Sequence, residues 1–445
     1  MLLNHRHLWL ALFITGTAVL GACAPSTTRP TANTAPTEIA ATNTAAPAAT
    51  ATPPPTPTSI PPSATVPPTN VPLPSDHDLA QLKDQVLKQL TKDQTVAPAQ
   101  PIEVNVLPLT TTGKLAPLYA VYGSTFNINP DKRPVVTLYH FNAGHWDDVQ
   151  QVNLDNTDYL DNNAVQQVMI EPSHIWLEVQ SGAGAHSGCY DLIAFDPINQ
   201  SISQHIASCS SSPGAGYTAD VNGDGQLDVV LDATDYYVFC YACGVTKPQY
   251  SVLTWDGKQL SEVTLTALSD VTPPEAQQAN NEAVRLASAG LWKDAQAAIE
   301  QAKSLKADNP IVQWNAGLID LHAKAYRDQV DAQTYPLLNN LFYGDYAAAV
   351  DVLRPYTPDQ IFSLTSPLIK GTVAETWEST LADWITQTTN SAIQVQPKLA
   401  AAYFLRGLGE YLANAKDPAA LHDVEQAAQL APDDKLLSDS VKFLK

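Results

Sequence analysis

The residues best suited to chemistry lie together in one segment, Asp220 to Asp228, which reads DVNGDGQLD. Carboxylate and amide side chains alternate with other residues, and Gly225 permits a tight turn. Calcium binds about six to eight oxygen ligands, and a tight loop with alternating oxygen donors delivers several of them to one point. The segment therefore predicts a calcium loop, and the alternative is a polar surface turn that binds no metal.

The same segment resembles the DxDxDG calcium loops of the EF-hand, dockerin and FG-GAP (integrin-type propeller) families over about a dozen residues. The twelfth position is Leu231 rather than Glu, and Val229 to Leu231 is typical of a strand, so the FG-GAP type fits better than the EF-hand. The resemblance implies a structural calcium ion as the cofactor. The implied ligands are the side chains of Asp220, Asn222, Asp224 and Asp228 and the carbonyl oxygen of Gln226.

Short runs of alternating apolar and polar residues surround this loop and must position it. Turn formers separate these runs, so residues 97–270 are predicted to form an all-β domain. The predicted strands are Ile102 to Leu107, Leu118 to Tyr122, Val135 to Phe141, His174 to Val179, Tyr190 to Phe195, Val229 to Leu231 and Ser251 to Trp255.

Three of the strands open a similar hairpin, at residues 135–154, 191–208 and 250–265. In each hairpin an aromatic residue ends the first strand, a turn follows, and an alternating strand returns. The spacing of about 55 to 60 residues suits a four-stranded blade. Because a propeller normally needs at least about four blades, three units are consistent with a partial propeller, diverged blades or an antiparallel sandwich.

The N-terminus has the pattern of an export signal, in which Arg6 precedes the apolar run Leu8 to Leu20. That run ends in Leu-Gly-Ala-Cys23, which resembles the lipobox of bacterial lipoproteins. The resemblance implies that the signal peptide 1–22 is removed and that Cys23 is lipidated. The expected location is the extracytoplasmic face of a bacterial membrane, in the cell envelope. The alternative is an ordinary signal peptide with Cys23 as a spare thiol.

The segment that follows Cys23 is predicted to be a disordered stalk, residues 23–76, because Ala, Thr, Pro, Ser and Asn dominate it. Within the linking region 77–96, leucines and a valine share one face of an amphipathic helix. The formal net charge of −21, from 24 basic and 45 acidic residues, argues against nucleic acid as a partner.

Four cysteines remain after Cys23, and all fall in the β-rich domain. An even number in an exported domain indicates two disulfides. Of the three possible pairings, Cys189 with Cys209 and Cys240 with Cys243 is favoured, because each pair joins neighbours in one unit. The C-x-x-C spacing of the second pair also fits a redox site or half of a zinc site, although no thioredoxin-like pattern surrounds it.

No catalytic motif accompanies the histidines of the β-rich domain, which are His140, His145, His174, His186 and His205. The sequence lacks a GxSxG elbow, an HExxH pair and a phosphate-binding loop. Aromatic side chains could stack on a sugar, although packing is their commoner role. They are Trp176, Tyr236, Tyr237, Tyr241 and Trp255.

Residues 274–445 change character, because Ala, Leu and Gln recur at helical spacing. Segment 275–310 and segment 402–434 resemble tetratricopeptide repeats, with small residues such as Gly290 and Gly407 where two helices approach. A unit from Ile311 and another around Gly344 are more degenerate, and Thr372 to Thr389 is predicted as a helix outside the repeat frame.

The repeat resemblance implies a curved solenoid whose concave face binds a protein or peptide. Asn315 and Arg406 are the candidate contacts on that face. The predicted fold is therefore an α+β multidomain chain, with an all-β repeat domain followed by a tetratricopeptide-like helical solenoid. The leading hypothesis is a non-enzymatic, surface-tethered binding or scaffolding lipoprotein. The alternative is an extracellular lipoprotein that binds or cleaves a glycan with its β domain.

Overall fold

The computed structural model describes residues 73–92, 101–111, 117–126, 133–269, 273–305 and 309–445. The predicted signal peptide, Cys23 and most of the predicted stalk lie outside these residues. Within them, antiparallel β-sheets precede a helical region, so the predicted order of β-rich and helical segments is confirmed.

Helix α1 (Asp76–Thr91) begins at a capping box that satisfies two backbone donors. Ser75 Oγ accepts the N–H of Asp78 at 3.3 Å, and the Asp78 carboxylate accepts the N–H of Ser75 at 2.8 Å. Leu82 is fully buried, and the indole N–H of Trp146 donates to the carbonyl of Asp78 at 2.9 Å. The amphipathic helix predicted from the sequence therefore packs onto the β region.

Nine strands form the first sheet: β1 (Glu103–Leu109), β2 (Leu118–Phe126), β3 (Val135–Asn142), β4 (His145–Asn153), β5 (Tyr159–Leu160), β6 (Val165–Val168), β7 (Ile175–Ala183), β8 (Ser187–Asp196) and β9 (Ser201–Ser210). They pair antiparallel in the order β4-β3-β2-β5-β7-β8-β9, with β1 against β2 and β6 against β7. Within the described residues β4 and β9 are not paired, although the side-chain amide of Gln150 donates to the carbonyl of Gln200 at 3.1 Å.

Four strands form the second sheet: β10 (Gly216–Ala219), β11 (Asp228–Asp232), β12 (Tyr250–Trp255) and β13 (Leu260–Val263). They pair antiparallel in chain order. All three predicted hairpins are present, as β3–β4, β8–β9 and β12–β13. The first two belong to the nine-stranded sheet and the third to the four-stranded sheet, so the sequence repeat does not correspond to the division into sheets.

Strand β8 is buried along nearly its whole length because both of its faces are covered. Ile193 and Phe195 belong to the core of the nine-stranded sheet. Tyr190 and Leu192 point to the other face, where they meet side chains of the four-stranded sheet. The second sheet therefore packs against β8, and this packing explains why apolar side chains occur on both faces of that strand.

Two disulfides lie in the β region. Cys189 on β8 is bonded to Cys209, which lies directly opposite it on β9. Cys240 is bonded to Cys243 across a short 3-10 turn, Tyr241–Cys243. This is the pairing that the sequence favours.

Ten helices follow in the described part of the chain: α2 (Pro274–Ser288), α3 (Trp292–Ser304), α4 (Pro310–Ala332), α5 (Pro336–Tyr343), α6 (Tyr346–Asp351), α7 (Pro358–Ile361), α8 (Glu378–Val395), α9 (Ala400–Ala413), α10 (Pro418–Leu430) and α11 (Lys435–Leu444). The helices from α2 to α6 and from α8 to α11 pack on their neighbours in the chain, most extensively α2 with α3, α8 with α9 and α9 with α10, whereas α7 contacts α11. The predicted helix Thr372 to Thr389 is displaced, because residues 372–377 form turns and α8 begins only at Glu378.

Close approach of α9 to α10 depends on Gly407, where the repeat pattern places a small residue. A Cβ at this position would lie 2.8 Å from the Val424 side chain and 2.9 Å from the carbonyl of Ala420. The same expectation is wrong at Gly290, where an added Cβ would meet no atom within 4 Å. The β region also contributes to the helical core, because Val238 and Phe239 are buried among the helices. The change in sequence character near residue 270 therefore does not separate two independently packed cores.

Candidate functional site

The predicted calcium loop is a tight turn organised by Asp220. Its carboxylate accepts the backbone N–H groups of Gly223 at 2.8 Å, Asp224 at 3.1 Å and Gly225 at 2.9 Å. Gly223 and Gly225 have φ angles of 77° and 88°, which glycine adopts without steric cost. The glycines thus allow the backbone to fold over the carboxylate.

Two further side chains close the loop. Asn222 Oδ1 accepts the N–H of Asp224 at 2.9 Å, and Asp224 Oδ1 accepts the N–H of Gln226 at 2.8 Å. The Asn222 side-chain amide donates to Asp224 Oδ2 at 2.9 Å. These oxygens keep lone pairs beyond the ones used, so hydrogen bonding within the loop does not exhaust their capacity to bind a cation.

Asp228, the first residue of β11, carries a buried carboxylate behind the loop and is only 2% exposed. Burial raises its pKa to about 6, and the charges of Asp224 and Asp220 add to the rise, while hydrogen bonds from Thr254 and Val221 oppose it. None of the ion pairs among the described residues involves these three carboxylates. The loop therefore concentrates negative charge without a basic side chain to balance it.

The donor set suits calcium in type, since carboxylate and amide oxygens are the ligands that this ion prefers. In the arrangement described here, however, no three His, Cys, Asp or Glu side chains of the described residues are grouped as a metal site. Calcium binding thus stays a prediction, and the uncompensated charge of the loop is the observation that supports it.

The back of the loop is seated on helix α4. A Cβ at Gly317 would overlap the carbonyl oxygen of Val221, so a side chain at that position would force the loop away from the helix. Trp314, Leu318 and Leu321, the other residues of this helix face, pack with the apolar side chains of the four-stranded sheet. The loop therefore lies where the β region meets the helices.

Asn315, predicted to contact a partner on the concave face, instead holds a segment of this chain. Its side-chain oxygen accepts the N–H of Thr266 at 2.9 Å, and its amide donates to the carbonyl of Thr266 at 2.7 Å. Asn315 is fully buried. The helical surface at α4 therefore binds extended main chain through both polar groups of one residue.

Two neighbouring asparagines on α2 bind the same extended segment. Together with Asn315 they form a main-chain clamp. Asn280 donates to the Thr266 carbonyl at 3.3 Å and accepts from the Asn315 amide at 2.8 Å. Asn281 accepts the N–H of Leu268 at 2.6 Å and donates to the Leu268 carbonyl at 2.9 Å. The sequence analysis did not single out Asn280 and Asn281. Their signal is a pair of asparagines in a helix interior, where asparagine is otherwise unfavourable.

Arg406, the second predicted concave-face residue, is also bonded within the chain. Its guanidinium donates two hydrogen bonds to Asp423 and one to Asn390. Glu410 lies 4.0 Å from the same guanidinium, and one of its oxygens is buried with no hydrogen-bond partner. Burial, followed by repulsion from Asp423, raises the pKa of Glu410 to about 7. This cluster stabilises the packing of α9 on α10.

The aromatic residues of the β region divide into two groups. Trp176 is fully buried and meets Trp255 edge to face at 5.1 Å, so this pair belongs to the core between the sheets. Tyr236, Tyr237 and Tyr241 cluster on the loop between β11 and β12, where Tyr237 is 52% exposed. Tyr237 is the exposed ring of these five, whereas Tyr236, Tyr241 and Trp255 are half-buried.

One ordered polar cluster that the sequence did not reveal surrounds Glu171, just before β7. Its carboxylate accepts hydrogen bonds from the hydroxyl of Ser173 at 2.6 Å, His174 Nδ1 at 2.5 Å and the Trp176 indole at 3.2 Å. Burial alone would raise the pKa of Glu171, but these hydrogen bonds together outweigh it and lower the pKa to about 2. The ionised carboxylate thus fixes the turn that leads into β7.

The chain matches no model of a known protein family, no curated protein and no solved structure. Among the described residues, no helix combines the length and apolar character needed to cross a membrane.

Proposed function

We propose that this protein is a lipid-anchored binding or scaffolding lipoprotein of the bacterial cell envelope, which captures protein partners through its helical region and is not an enzyme. The observation that carries the proposal is the exposed apolar surface of the helical region at Leu364 and Phe443, which are 55% and 44% exposed.

The anchor is supported by the N-terminal sequence. An apolar run, Leu8 to Leu20, ends in Leu-Gly-Ala-Cys23, and a Pro- and Thr-rich segment follows. Each buried CH₂ of an acyl chain contributes about 0.8 kcal/mol, so two or more chains on Cys23 would give stable attachment. The Pro- and Thr-rich segment would then separate the binding region from the lipid surface.

Calcium is proposed as a structural ion of the Asp220 loop. Asp220, Asn222, Asp224 and Asp228 would hold it together with the carbonyl of Gln226. The ion would supply positive charge to a loop that has three carboxylates and no ion pair within the described chain. Since the loop lies against Gly317 of α4, its order also supports the helices.

An exposed apolar patch near the last helix is the proposed contact for a partner. Phe443 of α11 is 44% exposed, and its ring stacks on that of Phe362 with 6.5 Å between centroids. Leu364, two residues beyond Phe362, is 55% exposed. Large apolar side chains that are exposed at a surface are common in protein interaction sites. The clamp on α2 and α4 already holds the chain's own segment, whereas this patch is open.

The test is affinity capture of the full-length protein from chemically cross-linked cells, with and without added calcium. Wild type is compared with Phe443→Ser and with the control Ile198→Ser, whose side chain is 87% exposed in a β-turn. We expect one partner to be recovered by wild type and the control and to be lost with Phe443→Ser. Recovery of no partner under any calcium condition, or equal recovery by all three proteins, would contradict the proposal.

A further inference from the structure

Four aromatic rings form a continuous strip on the surface of the β region, and we propose that this aromatic strip binds a neutral oligosaccharide. The strip consists of His186, Tyr236, Tyr237 and Tyr241. His186 stacks on Tyr241 with 4.2 Å between ring centroids and 29° between ring planes. Tyr236 and Tyr237 each lie 5.6 Å from Tyr241, at 28° and 47°.

The rings of the strip are separate from the side chains with which the loop between β11 and β12 fills the core. Val238, Phe239 and Val245, from the same loop as the tyrosines, are buried among the helices. Tyr237 instead remains 52% exposed, and His186 is exposed at the tip of the β7–β8 turn. The loop thus directs its aliphatic and phenyl side chains inward, leaves Tyr237 exposed, and keeps Tyr236 and Tyr241 half-buried at the surface.

The rings are held in place before any ligand arrives. The Cys240–Cys243 disulfide encloses Tyr241, and Gly244, with a φ of 71°, ends that turn. Tyr236 is half-buried where its ring stacks on that of Tyr241. Tyrosine loses little side-chain entropy on binding, and a surface that is already ordered loses less still.

The geometry of the strip favours a sugar over other ligands of aromatic surfaces. The C–H face of a pyranose ring is apolar and its hydroxyl groups lie at the rim, which matches a tyrosine ring with its own hydroxyl at one edge. A quaternary ammonium group needs rings that enclose it, whereas His186 and Tyr236 stack on Tyr241 and Tyr237 is tilted against it, so the rings pack on one another instead of forming a cage.

Carboxylates around the strip disfavour anionic ligands. Asp235 lies in the same loop, where its carboxylate accepts the N–H of Tyr237 at 2.7 Å, and Asp232 is close enough to Tyr236 to contribute to the rise in its pKa after burial. With a formal net charge of −21 on the whole chain, a nucleotide or an acidic polysaccharide would be repelled. The ligand class that remains is a neutral oligosaccharide, and this inference does not depend on the proposed protein partner.

The experiment is calorimetric titration of the full-length protein, purified in detergent, with cellohexaose, xylohexaose, mannohexaose and chitohexaose, and separately with choline and with AMP. We expect at least one oligosaccharide to bind and choline and AMP not to bind. Tyr237→Ala should weaken that binding about tenfold, as loss of a stacking platform does elsewhere. Tyr237→Phe should keep the affinity within about twofold, because the stacking face remains.

Two controls separate stacking from general damage. Ile198→Ala removes an exposed side chain outside the strip and should leave binding unchanged. His186→Ala tests the strip at a second ring if Tyr237→Ala fails to fold, and should weaken binding in the same direction. Binding of none of the four oligosaccharides, binding of choline or AMP instead, or sugar binding that survives both alanine variants would each overturn the proposal.

Discussion

Replacing Asn315 with alanine is the sharpest test of how the helical region holds the β region. The side chain makes three hydrogen bonds, two with the main chain of Thr266 and one with Asn280. In the variant, the Thr266 carbonyl keeps a bond from Asn280 at 3.3 Å. The Thr266 N–H and the Asn280 side-chain oxygen lose their partners beside a fully buried helix face.

The expected cost follows from those two stranded groups. A buried polar group left without a partner costs about 1–3 kcal/mol. Thr266 is exposed on its other side, so water can reach part of its backbone in the variant. We therefore expect Asn315→Ala to lower the free energy of unfolding by about 2–4 kcal/mol.

Urea unfolding measures the loss of stability, and hydrogen exchange locates it. The exchange rate of the Thr266 amide should rise, while amides of the nine-stranded sheet, such as Leu192, should keep their rates. Gln313→Ala is the matched control, because Gln313 is exposed on the same helix and should change the unfolding free energy by less than about 0.5 kcal/mol.

A double-mutant cycle with Asn280→Ala tests whether the asparagines act as a unit. Residues in one hydrogen-bond network show a coupling energy of about 0.5–3 kcal/mol. The reasoning is refuted if Asn315→Ala costs no more than the Gln313→Ala control and the Thr266 amide keeps its exchange rate. Strict additivity of the two asparagine changes would refute the idea of a shared clamp while leaving the individual bonds in place.

Three further predictions test other contacts. Gly317→Ala should lower the free energy of unfolding in urea by about 1–3 kcal/mol through overlap with the loop, whereas Gly214→Ala, which has open space, should not. Calcium should raise the melting temperature of the wild type in calorimetry and should not raise that of Asp224→Ala, and an equal rise in the variant would count against the metal loop. Glu410→Gln should raise the free energy of unfolding by about 1–2 kcal/mol at about pH 8 and leave it unchanged at about pH 5. Burial raises the pKa of Glu410 from 4.5 to about 7, so the folded state binds more protons in that window and loses stability as the pH rises. An equal effect of Glu410→Gln at both pH values would contradict this account.

Local patterns in the sequence predict most of the elements. Alternation predicts the strand pairs of all three hairpins, and the turn residues between them lie where the strands reverse. Helical spacing predicts α2, α4 and α9, and Gly407 occupies the close contact that the repeat pattern assigns to it. These features depend on residues near one another in the chain, which is why one sequence is enough to place them.

Contacts between distant segments could not be predicted in the same way. The loop that carries Phe239 has the cysteines and turn residues of a β connection, yet its apolar side chains belong to the helical core. Asn315 and Arg406 were placed on exposed helix faces by the repeat pattern. A repeat pattern gives the orientation of a residue on its helix but not what covers it, and both side chains are bonded within the chain.

Helix α4 explains why the β and helical regions pack as they do. Of its 23 residues, Ile319 and Tyr326 face the helical core, while Leu318 and Leu321 face the four-stranded sheet. Successive residues of a helix point about 100° apart, so different faces of α4 can pack against different neighbours. One face of α4 is covered by other helices and another by the four-stranded sheet. The clamp at Asn315 and the loop contact at Gly317 are two residues apart on this helix. A change that moves α4 away from the sheet therefore has to break the calcium-type loop contact and the main-chain clamp together.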